Sequence, residues 1–416
     1  MKLAKLIKSN PNTGRTTFIG YPYAPKPPVG DHESCRGDMV IFFGNALKAF
    51  PKGTDIVGYI ELTNRCLDYI RKNYPECSLW YKPHPADTSE IEKLNLGGFH
   101  IVKESTTSEV YLDEHYNDIR CVFAVNSTSC HTAYLMGLNA FLFIRIFKNV
   151  FLDSFIATIE DREVGSESIL LEDILHAPVQ NRITRNVRDK LTGILTGILA
   201  EHMGDVWMVI HGPQFSLPVA GISRLVKGID PNRRVILLVI RHHRLVQLGI
   251  NNVLTPSILA DVDEMQFFPR LFFRLRPWHI LKYFTAAVSI RRCRIPSRDV
   301  LISFAHADFV EDCLVSYHNP YKVAVLEDLT YRTAYELKAN PLFQDKDFRF
   351  TLGSRVFYYI VCPILGLARI LFLQYGDGQS FNITRYERPV EDLYDRVLVM
   401  NVRPDVGITS NDEASI

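Results

Sequence analysis

The sequence has no cysteine or histidine residues at the spacing of a zinc or redox site. Its eight cysteines are scattered along 416 residues, and no CxxC pair occurs among them. Paired cysteines are the usual mark of structural zinc and of thiol–disulfide exchange, so we predict neither, and we predict no bound metal. Scattered cysteines of this kind are typical of buried thiols in a reducing compartment.

A strong charge of either sign is also lacking. The chain has 47 basic and 46 acidic residues, which gives a formal net charge of +1. No general field draws such a chain to nucleic acid, and we predict no nucleic-acid partner. The first residues, "MKLAKLIKSNPNTGRTT", contain no apolar stretch of the length found in a secretory signal, which predicts a cytoplasmic location.

Two segments predict peripheral contact with the inner face of the membrane. Residues 356–375 are about long enough to span a bilayer, but Pro363 and Arg369 lie inside them. An arginine in mid-bilayer is costly, so we favour a buried helix or a helix resting on the membrane surface. Residues 265–295 are aromatic and basic, which favours an amphipathic helix against a membrane or a polyanionic acceptor. A solvated helix face above an aromatic core side is the alternative.

Several familiar catalytic signatures are missing from the sequence. It contains no Walker motif, no HExxH and no GxSxG. The turn that opens the second half, "HGPQFSLPVAG", has no GxGxxG pattern, so a dinucleotide site is not indicated. The candidate functional residues therefore come from the ends of the predicted strands, where α/β sheets bind their ligands.

Strands and helices alternate in two long stretches of the chain, residues 38–164 and 205–402. This alternation predicts an α/β protein with two Rossmann-like, doubly wound domains, each built on a parallel sheet. Residues 165–204 read as a helical connector between the two domains. Residues 1–37 read as a loop region rich in proline, glycine and charge, and residues 403–416 as a loose tail.

The stretch "YKPHP" places His84 between two prolines at the end of a predicted strand. Ligands of open α/β sheets bind outside the carboxyl ends of the strands. Proline on either side restricts the backbone and holds the imidazole in one direction. A histidine fixed in this way can donate to a phosphate or act as a general acid. A stiff turn that binds no ligand is the alternative.

The stretch "CVFAVNSTSCHTAYLMG" carries a second candidate site, because a buried strand runs out into Asn126-Ser127-Thr128-Ser129 and a helix follows. Hydroxyl groups there satisfy the first backbone amides of the helix, and the same amides can bind an anion. An ordinary helix cap is the alternative. We predict that this turn and His84 lie at the same edge of one sheet, which favours a phosphate site.

Two more strand ends carry candidate residues. "YKVAVLED" delivers Glu327 and Asp328, either of which suits a general base, although capping of the next helix is the alternative. In "HGPQFSLPVAG", Gly212 permits a tight turn and close approach of a ligand, and a simple strand–helix turn is equally compatible with the pattern.

Taken together, these stretches resemble the bacterial sialyltransferase and polysialyltransferase superfamily. "YKPHP" is similar to its HP motif and "NSTS" to its serine motif. "VLEDLTYRTAY" is similar to its acidic motif, and "HGPQFSLPVAG" to its acceptor-side turn. The resemblance implies an inverting glycosyltransferase of the GT-B type that needs no metal and no cofactor. It would move sialic acid or a similar acidic sugar from a CMP-sugar to a glycan acceptor, such as a capsule polysaccharide or lipooligosaccharide.

The resemblance also implies roles for individual residues. His84 would contact the phosphate of the CMP-sugar and help the nucleotide leave, and Ser127 and Ser129 would hold the same phosphate. Glu327 or Asp328 would activate the acceptor hydroxyl. The wider donor-binding set is Lys82, His84, Pro85, Asn126, Ser127, Thr128 and Ser129, and the acceptor-side set is Gly212, Gln214 and Tyr331.

Two features depart from the family pattern. Leu329 stands where the acidic motif has glycine, and the half with the HP motif comes first, so the order of the two domains is reversed. Either the chain is permuted, or its two halves derive from neighbouring transferase modules. These departures motivate a first alternative, a degenerate transferase that only binds nucleotide or glycan. A second alternative is a transferase of capsule synthesis that uses CMP-Kdo or a CDP-activated polyol phosphate.

Overall fold

The protein is described here from a computed structural model. The structure describes residues 16–23, 37–51, 53–85, 87–103, 106–153, 155–156, 170–171, 188–241, 243–269, 288–290, 292–304, 314–315, 320–326 and 394–402. Within these ranges the strands form two separate parallel sheets accompanied by helices, as the alternation of the sequence predicts. The architecture is α/β and is compatible with Rossmann-like units.

The described strands and helices have the following bounds. The strands are β1 (Thr16–Gly20), β2 (Met39–Phe43), β3 (Ser78–Lys82), β4 (His100–Ile101), β5 (Ile119–Ala124), β6 (Ala140–Leu142), β7 (Val206–Ile210), β8 (Val235–Arg241), β9 (Glu264–Pro269), β10 (Val300–Ser303), β11 (Tyr321–Leu326) and β12 (Arg396–Val402). The helices are α1 (Ile56–Asn73), α2 (Ser108–Glu114), α3 (Thr128–Leu135), α4 (Arg188–Glu201), α5 (Ser216–Ile229), α6 (His243–Leu248) and α7 (Ile250–Val253).

The first unit is a five-stranded sheet in the order β4-β3-β2-β5-β6. All five residues of the central strand β2 are buried, as expected for a parallel strand covered on both faces. The chain builds outward from β2 through β3 to β4, and then returns to the other side of β2 to make β5. The carboxyl ends of β2 and β5 therefore flank a topological switch point, which is where open α/β sheets bind ligands.

The second unit is a seven-stranded sheet in the order β1-β12-β11-β10-β7-β8-β9. Its switch point lies between β7 and β10. The sequence predicts a loop over residues 1–37, and this is wrong for β1, which pairs in parallel with β12, Thr16 opposite Val397. The segment "TTFIG" has the β-branched and aromatic residues of a strand, but its partner lies almost at the other end of the described chain.

The segment that follows β1 connects the two units. The Tyr23 hydroxyl donates a hydrogen bond to Asp113 of α2, and the guanidinium of Arg224 of α5 lies 5.4 Å from the centre of the Tyr23 ring. The backbone of Pro22 packs directly on Gly221 of α5, where a Cβ atom added to the glycine would lie 2.3 Å from the Pro22 carbonyl oxygen. Burial is the main reason why the pKa of Tyr23 is raised.

Three segments that the sequence predicts to be helical can be compared with the structure. The predicted short helix "SEIEKLNL" is wrong, because residues 88–94 form successive turns closed by hydrogen bonds such as that from Lys93 N to Glu90 O. The predicted helix over 265–295 is wrong where it overlaps β9, the edge strand of the second sheet, and residues 270–287 lie outside the described residues. The predicted connector contains α4, as expected.

The predicted tail and the predicted apolar segment cannot be compared with the structure. Residues 403–416 and 356–375 both lie outside the described residues. Within the part of the chain that the structure describes, no helix combines the length and the apolar content needed to cross a bilayer.

Candidate functional site

The pairing of the strands in the first sheet brings the two donor-side motifs to one edge. Phe43, the last residue of β2, is in register with Lys82 on one side and with Ala124 on the other. His84 follows Lys82 by two residues, and Ser127 follows Ala124 by three. Neighbouring strands are about 4.8 Å apart, so the two strand ends are separated by about 10 Å with the end of β2 between them. The predicted co-location of the two motifs is therefore present in the backbone.

His84 lies in a tight reversal of the chain. Its carbonyl oxygen accepts a hydrogen bond from the Asp87 amide at 3.2 Å, and the two residues form an isolated antiparallel bridge. The His84 side chain is half-buried and Pro85 is exposed. The turn follows the carboxyl end of β3, and its prolines restrict the backbone on both sides of His84.

The serine motif forms the beginning of α3. Ser127 is the capping residue, and its hydroxyl oxygen accepts a hydrogen bond from the Ser129 amide at 3.2 Å. Ser129 is buried, Thr128 is exposed and Asn126 is half-buried. Ser127 thus caps the helix, which was the alternative to a phosphate site. A hydroxyl that accepts a hydrogen bond in this way can still donate its own hydrogen to a ligand. Hydroxyl groups and the positive end of a helix thus lie together at the switch point.

Lys82 does not reach the site. Its side chain is buried, its ammonium donates to the Thr106 carbonyl oxygen at 2.8 Å, and it lies 5.3 Å from the centre of the Tyr111 ring. The buried carboxyl of Glu109 lies near it, and burial raises the pKa of Glu109. We therefore correct the prediction that Lys82 binds the donor. Lys82 is the last residue of a covered strand, and its side chain projects toward α2, where it makes these contacts in the protein interior.

A buried carboxylate, Glu90, organises the loop after β2 and is absent from the predicted site residues. Glu90 accepts hydrogen bonds from the Asn45 amide at 2.7 Å, from the Tyr81 hydroxyl at 2.8 Å and from the Tyr59 hydroxyl at 2.5 Å. A Cβ atom at Gly44 would lie 2.3 Å from the Tyr81 hydroxyl oxygen, so only glycine fits beside this cluster. Burial raises the pKa of Glu90. No local signal indicates this burial, because "SEIEKL" looks like the surface of a helix.

A second carboxylate, Asp87, binds the same loop. Its oxygens accept from the Lys48 amide at 3.0 Å and from the Ser89 amide at 3.1 Å, and the Lys48 ammonium lies 3.7 Å away. Hydrogen bonds from Ser89 and Lys48 lower the pKa of Asp87 to about 2. Asp87 and Glu90 together fasten the His84 turn to the loop after β2.

The lowered pKa of Asp87 predicts how its contribution to stability depends on pH. A carboxyl whose pKa is lower in the folded than in the unfolded state stabilises the fold above its unfolded value, and this stabilisation is lost as pH falls toward the folded value. We expect Asp87→Asn to lower the free energy of unfolding by about 1–2 kcal/mol at pH 7, and the difference from the parent protein to shrink between about pH 4 and pH 2. Urea unfolding between about pH 7 and pH 2 measures this difference in the free energy of unfolding. Glu92→Gln is the control, because Glu92 is an exposed neighbour. A difference that stays constant with pH would contradict the assignment.

On the second unit, the predicted acceptor-side residues are only partly described. Gly212 and Gln214 follow β7, where a short 3-10 helix (Pro213–Phe215) leads into α5, and the Gln214 side-chain amide folds back over Gly212. β11 ends at Leu326, immediately before Glu327, as predicted. Glu327, Asp328 and Tyr331 themselves lie outside the described residues.

Comparison with protein-family models, with curated proteins and with solved structures finds no match to this chain. Among the described residues, no group of three or more histidine, cysteine, aspartate or glutamate side chains is arranged to hold a metal ion. The candidate functional site is therefore formed by the two strand ends that flank β2.

Proposed function

We propose that the chain is a glycosyltransferase that moves sialic acid or a similar acidic sugar from a CMP-sugar to a glycan acceptor with inversion. The observation that carries the proposal is the register of Phe43 with both Lys82 and Ala124, which sets the His84 turn and the beginning of α3 on either side of one switch point. Such a pair suits a ligand with a phosphate group held between an imidazole and a helix N-terminus.

In the proposed reaction, the residues of the first unit must stabilise the phosphate group that leaves. In the transfer step, the bond between the anomeric carbon and the phosphate oxygen breaks, and its electron pair stays on CMP. Donors aimed at that oxygen lower the barrier because negative charge develops there. In the proposal, the His84 imidazole and the Ser127 hydroxyl supply these donors, and Thr128, the first residue of α3, supplies another.

The acceptor half must remove a proton from the attacking hydroxyl group. The acceptor oxygen forms the new bond to the anomeric carbon from the opposite side, and its proton passes to a carboxylate, which we assign to Glu327 or Asp328 by resemblance. The assignment is supported by β11, which runs to Leu326, the residue that precedes Glu327 in the sequence. The two parallel sheets agree with a GT-B arrangement, and the protein would act in the cytoplasm, at the inner face of the membrane.

The proposal is tested by supplying the full chain with activated sugars and measuring the nucleotide that is released. We expect CMP release from CMP-sialic acid or from another CMP-activated acidic sugar, such as CMP-Kdo, and we expect it to increase when a glycan acceptor is added. Calorimetry with CMP accompanies the assay. Binding of CMP without turnover of any CMP-sugar would favour the degenerate, binding-only alternative, and absence of both would overturn the proposal.

A further inference from the structure

Three backbone amides of the loop after β2 are already used within the protein. In many nucleotide-binding α/β sheets the turn after the first strand presents its amides to a diphosphate. Here three amides of that turn donate hydrogen bonds to the segment that carries His84. They are Gly44 N to Lys82 O at 2.9 Å, Asn45 N to Glu90 Oε2 at 2.7 Å and Lys48 N to Asp87 Oδ2 at 3.0 Å.

Two backbone amides at the beginning of α1 are also bonded within the protein. The Asp55 carboxylate caps α1 and accepts from the amides of Val57 and Gly58 at 3.1 and 3.0 Å. The N-terminus of this helix is the usual partner of the pyrophosphate in dinucleotide folds. In this chain the Asp55 carboxylate accepts the hydrogen bonds that a pyrophosphate would accept there.

Three carboxylates thus accept hydrogen bonds from backbone amides in the region where this type of sheet commonly binds a diphosphate. They are Asp55, Asp87 and Glu90. Asp87, whose pKa is lowered to about 2, also brings negative charge at neutral pH. A second phosphate group directed toward this loop would compete with these carboxylates for the same amides and would be repelled by like charge.

The other side of the switch point is different. α3 begins with hydroxyl-bearing residues, and its first turn contains no acidic residue. Hydroxyl groups and helix amides therefore favour an anion at α3, whereas the carboxylates of Asp87 and Glu90 disfavour one on the β2 side. This difference between the two sides favours a ligand with one phosphate group over a ligand with two.

We propose that Asp87 and Glu90 are specificity-determining residues that restrict the site to donors with a single phosphate and reject diphosphate-linked donors. The inference rests on the proposed function and sharpens it, because it favours CMP-linked sugars over the CDP-linked polyol phosphates that the sequence left open. Asp87 is the residue to test first, because its partner Lys48 has a largely exposed side chain and the surrounding loop can adapt.

The test is equilibrium binding of CMP and CDP to the full chain by calorimetry. We expect the parent protein to bind CDP at least ~10-fold more weakly than CMP, which corresponds to about 1.4 kcal/mol. In Asp87→Ala, which frees the Lys48 amide and removes the charge, we expect the affinity for CDP to rise at least ~5-fold while that for CMP changes less than ~2-fold. Asp87→Asn and Glu90→Gln remove charge with little change of shape, and we expect a smaller gain for CDP.

Glu92→Gln is the matched control, because Glu92 is an exposed carboxylate on the same turn segment. It should leave the ratio of the two affinities unchanged. Equal affinity of the parent protein for CMP and CDP, or a ratio that none of the Asp87 and Glu90 variants alters, would overturn the inference while leaving the proposed function standing. Binding of neither nucleotide to the parent protein, together with no turnover of any CMP-sugar, would overturn both. Thermal unfolding of each variant verifies that it is folded before its affinities are compared.

Discussion

Replacement of His84 by alanine is expected to lower the rate of CMP release from the donor by about 100-fold or more, with a much smaller change in KM. Loss of a general acid or of a donor to a developing oxyanion typically costs two to three orders of magnitude in rate. The effect should fall on kcat because, in the proposed mechanism, the imidazole meets most of its negative charge as the phosphate leaves.

His84→Gln separates the two roles that an imidazole can have. Glutamine keeps a hydrogen-bond donor but cannot transfer a proton at neutral pH, so partial recovery indicates charge stabilisation and no recovery indicates acid catalysis. His100→Ala is the control, since His100 is exposed on β4 and lies against the Trp80 ring in the same unit. Turnover of His84→Ala at the parent rate, with circular dichroism unchanged, would remove His84 from the mechanism.

Replacement of Gly221 by alanine is expected to destabilise the protein by about 1–3 kcal/mol, although glycine-to-alanine changes inside helices normally stabilise. The added methyl group would lie 2.3 Å from the carbonyl oxygen of Pro22 and 2.8 Å from the Cα atom of Tyr23, so backbone atoms must move. The segment after β1 would be displaced from α5, and with it the hydrogen bond from Tyr23 to Asp113.

Gly228→Ala is the matched control, because Gly228 lies in the same helix and a Cβ atom there would have no neighbour within 4 Å. We expect it to raise the free energy of unfolding by about 0.5–1 kcal/mol. Thermal or urea unfolding of the two variants therefore gives shifts of opposite sign. Equal shifts would mean that the contact between Pro22 and Gly221 does not contribute to stability.

The strands and the longer helices can be predicted because their signals are local. β2 shows a continuous apolar run, and α1 buries Tyr59, Cys66, Leu67 and Ile70 at helical spacing. The placement of the His84 and Ser127 turns at one edge also follows from counting parallel strands. The prediction for Lys82 is wrong, because a strand-end lysine can project to either face and only its tertiary neighbours decide which.

The parts that cannot be predicted depend on contacts that are distant in sequence. Nothing in "SEIEKL" distinguishes a solvent-facing glutamate from Glu90, whose burial depends on the hydroxyls of Tyr59 and Tyr81 and on the Asn45 amide. The strand character of "TTFIG" likewise depends on β12. Tertiary context of this kind overrides local propensity.

The pairing of β1 with β12 has a consequence for synthesis of the protein. A chain leaves the ribosome N-terminus first and its domains generally fold as units, so the strands of the five-stranded sheet, contiguous in the chain between Met39 and Leu142, can assemble early. β1 emerges before them, yet its neighbour in the sheet is translated only when Arg396–Val402 appear. For most of translation "TTFIG" is therefore an extended segment without its strand partner, and chaperone binding or aggregation of nascent chains should concentrate there.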